Sequence, residues 1–114
     1  MKKHMLLPLF VIILIGLQSF FWQSEPTFNE AEEKLFKENK CRLCHRIDKD
    51  KIGPSYLSVA EKYSGKKEAI QILEASIKAG SKGKWGKKQM PAYSDLDKET
   101  LTRMAKAILH LKHN

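Results

Sequence analysis

The segment C-R-L-C-H, residues 41 to 45, contains the only two cysteines of the chain, with a histidine directly after the second. Residues of these types at this spacing could close a disulfide, grip zinc, exchange thiol for disulfide, or attach a haem. Structural zinc asks for four ligands in a tetrahedron. There is no second cysteine pair, and neighbours such as Cys44 and His45 seldom both face one ion. A thioredoxin-like motif needs a βαβ setting, and no strand pattern flanks this one. The reading that remains is C-x-x-C-H as a c-type haem attachment, with Cys41 and Cys44 forming thioethers and His45 binding iron.

An iron held by one histidine leaves a sixth position, and the candidates downstream are Met90, Met104, His110 and His113. Met104 falls on the apolar stripe of a helix, where ordinary packing explains it. His110 and His113 fall in the final turn, where positive charge suits the helix dipole. Met90 sits in a glycine-rich loop directly before Pro91, where packing gives little reason for a large thioether. Its sulfur is soft and polarizable, and the proline stiffens the loop beside it. Met90 is therefore the expected second ligand.

The elements that must position these residues are legible in the hydrophobic pattern. Residues 25–28 read as a linker and residues 29–114 as one exported domain. Thr27 or Asn29 caps a first helix with Glu30, Glu32 and Glu33 in its opening turn and Lys37 and Lys40 late. Its apolar positions are Phe28, Ala31, Leu35 and Phe36, and it ends just before the cysteines. A loop broken at Gly53-Pro54 precedes a helix over 55–63, which Gly65 stops. A third helix over 67–79 carries Ile70, Leu73 and Ile77 on one face and stops at Gly80. Residues 80–94 hold three glycines and a proline and read as a long loop. The last helix runs from Asp95 to His113, with Leu101, Met104, Ala105, Ile108 and Leu111 in its core stripe. No run alternates with period two, so the fold class is all-α, about four helices. Loops this long are rare unfilled in so small a domain, and a single core of this size is thin without a staple. A covalent haem answers both difficulties.

Residues 1–24 read as a signal peptide or membrane anchor. Lys2 and Lys3 precede an apolar run from Met5 that is interrupted by Pro8, the build of a secretory signal. The cleavage site is poor, since Leu17-Gln18-Ser19 offers a small residue only at its end. Extended to Trp22, the run is just long enough to span a bilayer, with its positive end inside and its aromatics at the outer interface. The poor cleavage site favours an uncleaved anchor. Either way the domain is expected to be periplasmic, at the outer face of the cytoplasmic membrane.

The segments LFKENKCRLCHRID, IGPSYLSVAEKY and GSKGKWGKKQMPAYSDLD resemble the small monohaem bacterial class I cytochromes c, the short electron-carrier type. The resemblance extends over residues 28 to 112. It implies a class I cytochrome c fold wrapped around one haem c, with Cys41 and Cys44 as attachment points. His45 becomes the proximal and Met90 the distal iron ligand. It further implies that the Pro54 carbonyl accepts a hydrogen bond from the other nitrogen of His45, which orients the ring and raises its basicity. Trp85 takes the place of the family's tryptophan, whose indole N–H reaches a haem propionate. The family crosses its first and last helices, a contact that falls here to Phe36 against Ile108 or Met104, although an aromatic is more usual on the last helix.

Two occupied axial positions leave no vacancy for oxygen or peroxide, so electron transfer is favoured over catalysis, and methionine ligation raises the potential. The protein is thus expected to be a one-electron carrier and not an enzyme. The alternatives are a small haem subunit of a respiratory oxidoreductase or a peroxidase, in which Met90 detaches, or a haem-based sensor. Of the 21 basic residues, all but Lys2 and Lys3 lie in the exported part, which with 13 acidic residues leaves 19 positives and a net +6. Lys82, Lys84, Lys87 and Lys88 crowd the methionine loop and form a candidate docking patch for an acidic oxidase or reductase. Lys62 and Lys66 are expected away from the haem edge. Nucleic acid is excluded as a partner, since no aromatics interleave with the charges. A monomer, with a possible membrane tether, is expected.

Overall fold

The computed structural model describes residues 24–111. The signal or anchor segment, save Ser24, and the candidate ligand His113 lie outside the described residues. Among those described, no helix is long and apolar enough to cross a membrane.

The first helix, α1 (Glu30–Glu38), begins where the sequence supplies a reciprocal cap. The Asn29 side chain accepts from the Glu32 N–H at 2.9 Å, and the Asn29 N–H donates to the Glu32 carboxylate at 3.0 Å. Each bond satisfies a donor that a helix start would otherwise leave unpaired. Of the two candidate caps, Asn29 and not Thr27 takes the role. Phe28, expected on the helix, sits just before the cap and stacks on Phe36 with ring centroids 4.4 Å apart. The helix closes on Asn39, whose side-chain amide donates to Leu35 O at 2.8 Å. Lys40 then turns through a left-handed conformation, φ 60°, and delivers the chain into a short 3-10 turn, Cys41–Leu43.

Helix α2 (Tyr56–Tyr63) is capped by Ser55, whose hydroxyl accepts from the Ser58 N–H at 3.1 Å. Helix α3 (Ala69–Ala79) starts two residues later than the pattern suggests, because residues 66–69 are spent on a turn closed by Ala69 N–H to Lys66 O at 3.2 Å. Helix α4 (Lys98–His110) also starts late, at an Asp97 cap that accepts from the Thr100 N–H at 2.7 Å. Asp95 and Leu96 belong instead to a turn in which Leu96 N–H donates to Tyr93 O.

The loop of residues 80–94 is less irregular than its glycines imply. Ser81–Lys82 (β1) pairs antiparallel with Gln89–Met90 (β2), Ser81 opposite Met90. Gly80, with φ 79°, makes the entry possible, since a Cβ there would lie 2.7 Å from the Met90 carbonyl oxygen.

Helix α4 packs against α1, α2 and α3. Its stripe of Leu101, Met104, Ala105 and Ile108 is buried, and Met104 and Phe36 are the largest fully buried side chains. The expected crossing of first and last helices is therefore present, with Phe36, Met104 and Ile108 in one core. Between α3 and α4 lies a buried carboxylate that the hydrophobic pattern gave no warning of. Glu74 is 6% exposed and is met by the Lys98 ammonium and the Thr102 hydroxyl.

Candidate functional site

A cleft open to solvent at its mouth runs between the helices and the loops that join them. Its lining brings together Cys41, Cys44 and His45, Gly53 and Pro54, Trp85, and Met90 with Pro91. Residues 49 positions apart, Cys41 and Met90, thus share one cavity. Core side chains such as Phe36, Val59 and Ile108 form much of the remaining wall. An apolar cleft with a few convergent polar groups is the usual form of a cofactor site.

The 3-10 turn sets Cys41 and Cys44 on the same short segment, with Cys44 N–H and His45 N–H both donating to Cys41 O, at 3.1 and 3.0 Å. The two cysteines are unbridged. Burial pushes the Cys41 thiol up to about 11. A dithiol redox motif works in the other direction, by depressing its thiol, so the environment argues against thiol exchange. Among the described residues no cluster of three or more His, Cys, Asp or Glu could hold a metal ion.

His45 is held from one side by its own loop. Its Nδ1 lies 2.7 Å from Pro54 O, which makes Nδ1 the donor to that carbonyl and leaves Nε2 as the lone-pair nitrogen. Gly53 is what permits the approach, because a Cβ at that position would meet His45 Cε1 at 2.5 Å. The ring also stacks on Tyr56 at 5.2 Å. Arg42, inside the motif, secures the backbone: its guanidinium donates to Glu33 of α1 at 3.1 Å and to His45 O at 3.1 Å, and lies over the Tyr56 ring. An imidazole oriented by a carbonyl with its other nitrogen free is the arrangement of a metal-bound histidine, and the apolar cleft beside it fits a porphyrin.

Met90 is partly buried on β2 and packs against the core. Met104, by contrast, is fully enclosed in the helix stripe, and His110 is exposed. Trp85, 37% exposed, stands at the rim with Lys84 and Lys88, whereas Lys82 and Lys87 are exposed but do not line the cleft.

The comparisons with known proteins agree with this geometry. A family model described as Cytochrome c matches residues 31–112. The chain belongs to the cytochrome c family. Cytochrome c-552 of Hydrogenobacter thermophilus is 40% identical over 98% of this chain and 100% of its own length. Cytochrome c-551 of Pseudomonas aeruginosa is 38% identical over 90% of this chain and 94% of its own. The crystal structure of cytochrome c552 from Nitrosomonas europaea superposes with a TM-score of 0.68, at 35% identity, over 70% of this chain and 99% of that one. A class 1 cytochrome, MtoD of Sideroxydans lithotrophicus, superposes at 0.62 with 33% identity. The fold is that of the small monohaem class I cytochromes c, and like its family this chain carries one covalent c-type haem and transfers electrons.

Several residues that shape the site escaped the sequence. Tyr56 and Tyr93 line the cleft, and both phenols are shifted upward, chiefly by burial. The Tyr56 hydroxyl is buried without a hydrogen-bond partner among the described residues. Helical spacing marks Tyr56 only as a core position. Arg42 carries no signal beyond its place between the cysteines. Lys62 is a correction: it stands against Trp85, a residue of the cleft's lining. Its ammonium lies 4.3 Å from the Trp85 ring centroid and donates to Lys84 O at 3.0 Å. The cause is the fold of the loop, which returns over α2 at a distance of some twenty residues that no local pattern reports.

Proposed function

We propose that the protein is a one-electron carrier whose haem is attached through Cys41 and Cys44 and whose iron is held by His45 and Met90. The observation that carries this reading is the shared cleft: a histidine with Nδ1 committed to Pro54 O and a thioether on a separate loop line the same cavity. The haem supplies the one-electron couple, and the chain's residues determine how readily it is used. Pro54 keeps Nε2 of His45 as the lone-pair nitrogen, which favours tight ligation. Met90 adds a soft sulfur that favours the reduced state and raises the potential. The enclosing core residues keep water out and limit rearrangement between oxidation states. Trp85, at the rim, would donate its indole N–H to a propionate.

The domain acts outside the cytoplasmic membrane, tethered or free according to the processing of residues 1–24. Its partner is an acidic oxidase or reductase. Leu43 and Ile52 are exposed apolar residues in and near the motif, and Lys84 and Lys88 line the rim while Lys82 and Lys87 flank them in the same exposed loop, so basic residues stand beside apolar ones at the mouth of the cleft. An apolar centre with a charged border suits a brief, steered encounter.

Exogenous ligands separate this reading from the alternatives. A carrier with both axial positions filled resists azide in the ferric state and carbon monoxide in the ferrous state at neutral pH. Ready binding of either by the purified protein moves the assignment to a peroxidase or a gas sensor.

A further inference from the structure

We propose that Lys62 and Lys78 are positioning residues for Met90, pinning the two limbs of the loop that presents its sulfur. The inference rests on the reading of Met90 as an iron ligand. Met90 lies within residues 80–97, a stretch between α3 and α4 whose only regular structure is two two-residue strands. A segment so poor in backbone pairing opens readily unless side chains hold it.

Lys62, on α2, grips the first limb. Its ammonium sits over the Trp85 ring at 4.3 Å and donates to Lys84 O at 3.0 Å. Lys78, in the last turn of α3, grips the second. Its ammonium donates to Ser94 O at 3.2 Å and to Leu96 O at 3.1 Å. The limbs are joined to α3 at two further points. Lys84 Nζ donates to Ser76 Oγ at 3.0 Å, and Tyr93 N–H donates to Ile77 O at 3.0 Å. Met90 lies between these anchor points, four residues before Ser94.

An exposed lysine ordinarily stays hydrated and holds no fixed place, because ordering its long stem is entropically unfavourable. Two lysines that spend their donors on backbone carbonyls of one loop do something different. A carbonyl accepts better from a charged donor than from a neutral one, and a cation over an indole face adds attraction. Both interactions vanish when the loop lifts, so both oppose detachment of the sulfur. They also explain why lysine is used: a four-carbon stem reaches across from a helix without needing a core position.

The test follows loss of the near-infrared sulfur-to-ferric-iron band with rising pH in the full-length haem-loaded protein. Lys62→Met and Lys78→Met keep the stems and remove the ammonium groups. Each is expected to lose the band about one pH unit earlier than the parent, a roughly tenfold larger open population. Each should also bind azide about tenfold more tightly at neutral pH. Lys62→Arg should restore parental behaviour, since a guanidinium can both stack and donate. Lys67→Met, which removes the same charge from the turn between α2 and α3, should leave the midpoint and the azide affinity unchanged. Equal shifts in Lys62→Met and Lys67→Met would overturn the proposal in favour of net charge. A fall in urea stability without a shift in band or azide affinity would also overturn it, leaving a structural role alone. If Met90→Ala retains the band, the ligand assignment fails, which is a different outcome from failure of the pins.

Discussion

At the scale of single residues, Cys41, Cys44, His45 and Met90 line one cleft, and their types and neighbours mark them in the sequence. What the sequence did not disclose was how closely the supporting backbone approaches them. Gly53 is the clearest case, because its missing side chain is the space that His45 occupies. Gly53→Ala is expected to push the imidazole off the Pro54 carbonyl and to destabilise the haem-loaded protein by about 1–3 kcal/mol, the usual range for overpacking. Urea unfolding read at the haem band measures this, and an unchanged midpoint would mean that the loop yields easily. Tyr56 teaches the same lesson. Its helical spacing announces burial but not a phenol stacked beside the histidine ring.

At the scale of elements, caps were readable and exact boundaries were not. The sequence offers Thr27 and Asn29 as caps, the structure uses Asn29 with Glu32, and Asn29→Ala should lower stability by about 1 kcal/mol. The start of α4 was displaced because Asp95 and Asp97 are both plausible caps, and the turn at Tyr93–Leu96 selects the second. The β1–β2 pairing was invisible for a simple reason: two residues per strand cannot display an alternation. Glu74 was missed because a charged residue in a helix normally reads as surface. Its carboxyl is held below the usual range by the hydrogen bonds from Lys98 and Thr102. A lowered value stabilises the fold fully above the unfolded glutamate range, near 4.3, and that contribution is lost as pH falls through the folded value. Glu74→Gln should therefore lower stability by about 1–2 kcal/mol at neutral pH and flatten the acid limb of the stability profile. Thermal unfolding between neutral pH and pH 3 checks both. A parallel offset with the acid limb unchanged would mean that Glu74 does not titrate differently on folding.

At the scale of the whole molecule, an all-helical domain around a central cleft was foreseeable from four apolar stripes and loops too long to be left unfilled. The distribution of lysines was foreseeable only in part. Lys84 is committed to Ser76 and Lys62 to the methionine loop, so Lys82, Lys87 and Lys88 make the better docking test. Replacing these three with glutamine should slow electron transfer with an acidic partner about tenfold at low salt, within the range that steering provides. The difference should fade as ionic strength shortens the screening length to about 8 Å. Replacing Lys34, Lys67 and Lys106, which lie on α1, in the turn after α2 and on α4 rather than in the methionine loop, should have much less effect, and equal effects would mean that only net charge matters. The most direct test of the whole account is the near-infrared absorption of the ferric protein, where a methionine sulfur on haem iron gives a weak but diagnostic band. The account predicts that the parent shows this band, that Met90→Ala abolishes it and lowers the potential, and that Met104→Leu retains it. A band that survives Met90→Ala, or that disappears in Met104→Leu, would contradict it.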